Sequence, residues 1–189
     1  MLKAFIIGGG PSIKDTNLDL IKDQYVIGVN AAYRLGTWVD VCFFGDNDFY
    51  QDHIVKLEKW GNKIVSCAPK AKNHPQIEYY KRCTRHPVCM EKDSIAFPGR
   101  GANSGGAAIN LAIKYGYKEI VLLGFDMQVV NGQHNYHKIH RRDPHDKIYD
   151  RFMGAFDAMA KALGDVKVYN ATPNSKLKCF PKVDLHEII

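Results

Sequence analysis

The 189-residue chain has no apolar run approaching the roughly 18 residues that would cross a membrane. It has no Cys-x-x-Cys pair, and its five cysteines (Cys42, Cys67, Cys83, Cys89 and Cys179) are odd in number. That pattern argues for reduced thiols and against a disulfide framework or a zinc ribbon. Cys42 and Cys67 sit in strand-like apolar runs and are expected to be packing residues. Internal repeats, low-complexity segments and domain linkers are absent. So are the dinucleotide GxGxxG and the P-loop GxxxxGK[ST]. The amino-terminal MLKAFIIGGG carries no small-residue cleavage site, so its apolar run reads as a first strand, and a cytoplasmic location is the expectation. Basic residues do not interleave with aromatics in the manner of RNA-binding sheets. Nucleic acid is therefore not the expected partner. The net charge of +6 suits a phosphate-bearing ligand, but it is spread over 56–72, 81–85, 138–142 and 176–182 and reads mainly as solvated surface.

Apolar residues make up 46% of the chain and charged residues 24%, a globular balance over a length that fits one domain, 1–189. Strand-like runs at 4–7, 25–29, 41–45, 63–67, 119–124 and 166–170 alternate with helical patterns. One helix follows Ser104 and stops at Gly116, where a C′ glycine belongs. A second is marked by Ile148, Phe152, Ala155, Phe156, Met159 and Leu163 at 3.6-residue spacing, ending at Gly164. A weaker helical candidate covers 48–60. Such alternation predicts an α/β fold: a doubly wound, mostly parallel Rossmann-like sheet with helices on both faces. Residues 68–98 look irregular, and 126–146 form a long polar loop after a strand end. In such a sheet ligands bind beyond the carboxyl ends of the strands, so the loops after 7, 29, 45 and 124 should converge.

The most telling stretch is AFIIGGGPS at 4–12. An apolar strand runs into Gly8, Gly9 and Gly10, then Pro11 and Ser12. Glycines turn tightly and leave the backbone accessible. Ser12 and Asp15 have capping-box spacing, so a short helix should open there with its N–H groups aimed at an anion. The loop reads as a cradle for a nucleotide phosphate or ribose, against the plainer alternative of a tight turn.

Other residues carry chemistry at the same predicted edge. Asn30 ends the second strand and offers an amide to a ribose or base, or else forms a turn or cap. Asp46 and Asp48, two residues apart after the third strand, are candidate Mg²⁺ ligands, or Asp46 and Asn47 are N-caps. Asn103, Ser104 and Gly105 lie in a second glycine-rich helix start, RGANSGG, suited to a second part of a nucleotide or to its sugar. His134, Tyr136, His137, His140, Arg141, Arg142 and His145 crowd one loop, where a histidine could serve as general base and Tyr or Arg could hold a phosphate. Zinc at this His cluster is a lesser alternative, and a plain solvated loop is another.

Taken in order, the GGGPS turn with Asn30, the NSG turn, GYKEIVLLGFDM and the closing ATPNSKL resemble the bacterial family 42 sialyltransferases. They also resemble the related DUF115 Rossmann-like proteins, which include the 6-hydroxymethylpterin diphosphokinases and phage-encoded members close in style. Residues 46–98 are poorly covered. The resemblance implies a nucleotide-sugar-dependent glycosyltransferase that moves a sugar from a donor, CMP-linked in that family, to a hydroxyl acceptor. It implies that Gly8 to Ser12 and Asn30 contact the nucleotide, that Ser104 and Gly105 touch nucleotide or donor sugar, and that Asn174 and Ser175 match a PNS segment near the nucleotide. It further implies Tyr136 as a holder of the leaving phosphate and His145, with His140 second, as the base. The family loop has Asn where this chain has Gly9, and the sialyltransferase reaction uses no metal. The Asp46–Asp48 pair would instead suit a Mg²⁺-dependent diphosphokinase acting on a hydroxymethyl compound. A non-catalytic nucleotide-binding module is the third alternative. The expected partners are a nucleotide or nucleotide-sugar, a hydroxyl acceptor and, in a homo-oligomer, further copies of the chain.

Overall fold

A computed structural model of the protein describes residues 2–99, 101–137 and 147–189. The strands are β1 (Lys3–Ile7), β2 (Tyr25–Val29), β3 (Val41–Phe44), β4 (Lys63–Ser66), β5 (Ile77–Tyr79), β6 (Lys81–Cys83), β7 (Ser94–Ala96), β8 (Glu119–Leu123) and β9 (Lys167–Asn170). The α-helices are α1 (Asn47–Trp60), α2 (Ser104–Lys114), α3 (Lys147–Ala160) and α4 (Leu185–Ile188). Seven strands form one sheet in the order β5-β4-β3-β2-β1-β8-β9, and every pairing in it is parallel. β6 and β7 form a separate parallel pair.

The central strands β1, β2, β3 and β8 are largely apolar because both faces are covered, whereas Lys81 and Arg82 of β6 are exposed. In β1, Ala4 and Ile6 join the core beneath α2 and α3, whereas Phe5 and Ile7 join the core on the opposite face. That second face is closed by the 3-10 turns at Pro11–Asp15 and Leu18–Ile21 and by Leu185 of α4. Phe5, Phe43, Phe44, Phe125 and Phe156 are completely buried, each contributing about 1.5–3 kcal/mol through burial. α2 is buried along Ala107, Ala108, Ile109, Leu111 and Ala112, and its small residues let it lie close to β1, β2 and β3. Asn103 caps its start, accepting from Gly106 N at 2.7 Å. Gly116, at φ +87°, ends it as expected.

Two expectations are corrected. The 68–98 stretch is ordered into β5, β6, β7 and a 3-10 turn at Pro69–Ala71. Three-residue strands such as Ile77–Tyr79 are too short to show a period. The Ser12–Asp15 capping box does not form: the turn is a 3-10 helix with Gly10 at its N-cap and no side-chain cap. Ser12 Oγ is instead engaged by a residue far along the chain.

Strands β1 to β5 progress toward one edge, and β8 and β9 lie on the other side of β1. The winding therefore reverses between β1 and β8. This is the switch point where open α/β sheets bind ligands.

Candidate functional site

A cavity of about 390 Å³ opens at this switch point. That lies within the roughly 300–1,000 Å³ of small-molecule clefts. Its wall takes Gly8–Gly10 from the β1 end, Asn30 from β2, Asp46 beyond β3, Asn103–Gly105 at the α2 start, Gly124–Gln128 beyond β8, and Ile148, Tyr149 and Phe152 of α3. The loops after 7, 29, 45 and 124 do converge at the carboxyl edge.

The glycine loop is shaped by protein. Gly8 N–H donates to Leu123 O at 2.7 Å and Gly10 N–H to Gly124 O at 2.8 Å, zipping the β1 and β8 ends together. A Cβ on Gly8 would sit 2.7 Å from Gly124 O, and one on Gly10 would sit 1.8 Å from Asp126 Oδ2. A Cβ on Gly9 would meet Asn135 Oδ1 at 2.8 Å. The missing side chains thus make room for the chain itself at each position.

Asp126 is the residue that sequence reasoning missed. Ser12 N–H donates to its Oδ1 at 3.1 Å and Ser12 Oγ–H to its Oδ2 at 2.8 Å. It is 3% exposed and lines the cavity. Burial pushes its carboxyl above the usual carboxylate range, opposed by the two Ser12 bonds. The anion that the Ser12 turn was expected to draw from a ligand is therefore a carboxylate of the protein. The contact joins positions 114 residues apart, which no local pattern can announce.

The closing ATPNSKL segment braces the same corner. Thr172 Oγ1 accepts from Phe125 N at 2.9 Å, Ser175 Oγ donates to Phe125 O at 2.5 Å, and Lys176 N–H donates to Asp126 O at 3.0 Å. Ser175 is buried and acts as this strut, so the expected nucleotide contact is replaced by a supporting bond. Asn174, at φ +54°, borders a different groove, with Asp15 and Asp184 on its other walls. Pro11 and Ser12 lie behind the cavity wall.

Asn30 sits at φ +52°, a left-handed conformation that asparagine tolerates. Its Oδ1 is buried and has no hydrogen-bond partner among the described residues. Leaving such an acceptor unpaired costs about 1–3 kcal/mol. At the α2 start, Ser104 Oγ accepts from Gly45 N at 3.1 Å. The Ser104 and Gly105 amides precede the first intrahelical bonds and border the cavity at the positive end of the helix. Asp46 reaches the wall as the N-cap residue of α1 without capping by its side chain, whereas Asp48, in the first turn of that helix, is not among the residues that line the cavity. Only one of the two carboxylates therefore borders the cavity.

Tyr136 does not line the cavity. Its N–H donates to Gly9 O at 2.9 Å, and its ring packs against the apolar cluster of Phe5 and Ile7. Its hydroxyl is buried without a partner among the described residues, and burial raises its pKa. The tyrosine that lines the cavity is instead Tyr149, stacked on His134 with ring centroids 5.9 Å apart and its hydroxyl 3.1 Å from His134 Nδ1. His140 and His145 lie outside the described residues.

No protein-family model and no curated protein matches the sequence. Among solved structures the fold is similar to the MAf glycosyltransferase from Magnetospirillum magneticum AMB-1, with a TM-score of 0.71 at 17% identity. The similarity covers 100% of this chain and 34% of that one, so the chain spans about a third of its neighbour's length. The likeness establishes a Rossmann-like α/β fold of a kind that a glycosyltransferase also adopts.

Proposed function

We propose that the protein is a nucleotide-sugar-dependent glycosyltransferase that binds its donor across the β1/β8 switch point. The observation that carries this reading is the polarity of the cavity wall. The wall presents acceptors: the orphan Asn30 Oδ1, and the Asp126 carboxylate, whose two oxygens each also accept from Ser12. These suit the donating hydroxyls of a ribose or the amino group of a base. The α2 N-terminus, with Ser104 and Gly105, borders the same cavity and suits a phosphate. A nucleotide laid between them has its nucleoside at Asn30 and Asp126 and its phosphate at α2.

The sugar end of the donor then faces Tyr149 and His134, which close the cavity from α3 and the loop before it. A hydroxyl acceptor needs a group to take its proton, and a neutral histidine suits that role. Following the sequence resemblance, His145 is the base, with His140 second. The fold likeness to a glycosyltransferase supports the reaction class, and the resemblance to sialyltransferases supports a CMP-linked donor.

The test is a calorimetric panel of CMP, UDP, GDP and ATP with and without Mg²⁺, followed by turnover of CMP-sialic acid. CMP binding that is independent of Mg²⁺ and weakened about tenfold or more by Asn30→Ala is expected. ATP binding that requires Mg²⁺ would replace this reading with diphosphoryl transfer. Absence of binding to any nucleotide would overturn it. His145→Ala should lower turnover by about 10²-fold while leaving CMP affinity unchanged.

A further inference from the structure

A second chemical cluster lies away from the cavity, in the connection between β6 and β7. A parallel strand pair is normally joined by a crossover of a dozen or more residues carrying a helix. Here residues 84–93 contain neither helix nor strand. The crossover is held by few groups. Asn110, fully buried on α2, accepts from Cys89 N at 3.3 Å and from Ala96 N at 2.6 Å, and donates to Cys89 O at 3.2 Å. Lys114 Nζ donates to Glu91 O at 2.6 Å. Val88 packs against the main core, and Cys83, Cys89 and Ala96 form a small apolar cluster of their own.

In that cluster Cys83 is 7% and Cys89 1% exposed, and Glu91 is exposed beside them. One carboxylate oxygen of Glu91 and the two Sγ atoms all lie within 4.8 Å of one another. A tetrahedral zinc with Zn–S near 2.3 Å sets its ligand atoms about 3.8 Å apart, so closing the three onto one ion needs side-chain shifts of an ångström or less. Two thiolates and a carboxylate are a donor set for a soft or borderline divalent cation, not for Mg²⁺ or Ca²⁺. The exposed Glu91 leaves a way in, and a fourth position open to water.

We propose that Cys83, Cys89 and Glu91 bind a thiophilic divalent cation, zinc by preference, which ties the 84–93 crossover to the β6–β7 pair. Binding releases the two thiol protons and forms two S–metal bonds and one O–metal bond, with no change of oxidation state. A disulfide is the competing use of the two thiols. A bound cation neutralises the buried thiolate charge as it forms. The site is independent of the cavity at β1/β8 and of the reading given to it.

The test is titration of the reduced full-length protein with Co²⁺ as a spectroscopic substitute for zinc. One equivalent should produce a thiolate-to-cobalt charge-transfer band with tetrahedral visible bands, and one equivalent of Zn²⁺ should abolish both. Cys83→Ser and Cys89→Ser should each remove most of the charge-transfer intensity, whereas Cys179→Ser should keep it. Glu91 is exposed, so Glu91→Gln should fold normally and weaken cobalt binding tenfold or more while retaining thiolate bands. Absence of the band in the reduced wild type would overturn the site. So would a band insensitive to Cys83→Ser, or an unchanged affinity in Glu91→Gln.

Discussion

Gly10→Ala isolates what the glycine loop is for. Gly10 has φ −64° and ψ 153°, a conformation open to any residue, so alanine suffers no backbone strain there. The obstacle is contact: the new Cβ would lie 1.8 Å from Asp126 Oδ2 and 2.6 Å from Gly124 O. The loop must move away from the β8 end. That stretches the Gly10 N–H bond to Gly124 O and the two Ser12 bonds to Asp126. Hydrogen bonds to a charged group contribute about 1.5–3 kcal/mol each, so partial loss of this set should destabilise the protein by about 3 kcal/mol. For a chain of this size that lowers Tm by about 6–12 °C. Urea unfolding of four proteins would measure it: wild type, Gly10→Ala, Asp126→Ala and the double variant. The double variant should be less destabilised than the sum of the singles by about 1 kcal/mol or more, because the Oδ2 collision is gone while the Gly124 O contact remains. Gly9→Ala is the control. Its Cβ is crowded by the end of the Asn135 side chain, at 2.8 Å, which can rotate, and meets His137 Nε2 at an ordinary 3.6 Å, so it should cost less than about 1 kcal/mol. If Gly10→Ala proved no more destabilising than Gly9→Ala, the close approach of Asp126 would not be what demands the glycine.

Asn110→Leu should destabilise by about 3–5 kcal/mol, because Cys89 N–H, Cys89 O and Ala96 N–H lose their partner together, and hydrogen exchange should show protection lost first at Cys89 and Ala96. Ser104→Ala removes the acceptor of the buried Gly45 N–H and should cost about 1–2 kcal/mol, read by urea unfolding. Asp126 also predicts a pH trend. With its folded pKa raised above the usual value, its contribution to stability is full below the unfolded pKa and is lost as pH rises through the folded one. Asp126→Asn removes that loss, so its urea midpoint should gain on the wild type between pH 3 and pH 7, and a constant or shrinking difference would count against a raised pKa. His134→Gln should lower turnover while leaving nucleotide affinity within about twofold, and an unchanged rate would remove the Tyr149-paired imidazole from the reaction.

Much of the frame is written in local pattern. Six apolar runs became β1, β2, β3, β4, β8 and β9 with boundaries shifted by at most one residue, because strands buried on both faces need uninterrupted apolar sequence. Asn103 and Gly116 bracket α2, since a cap side chain and a left-handed glycine act within a few residues of themselves. The doubly wound topology followed from the alternation, and the gathering of Gly8–Gly10, Asn30 and Asn103–Gly105 at one sheet edge followed from the topology.

Tertiary structure decided what those residues face. Gly10 reads as a ligand cradle in the sequence, yet its open side is filled by Asp126 from the other side of the switch point. Tyr136 is the tyrosine the sequence singles out, but its ring packs against the Phe5–Ile7 cluster, and it is Tyr149 that lines the cavity. Ser175 looks like a ligand contact and is a strut to Phe125. Cys83 and Cys89 lack metal-ribbon spacing, and only the β6–β7 pairing and Asn110 bring their sulfurs together beside Glu91. Local sequence sets backbone conformation through sterics and short-range hydrogen bonds. Which side chain fills the space above a glycine depends on partners such as Ser12 and Asp126, 114 residues apart, and these meet only when the sheet closes between β1 and β8.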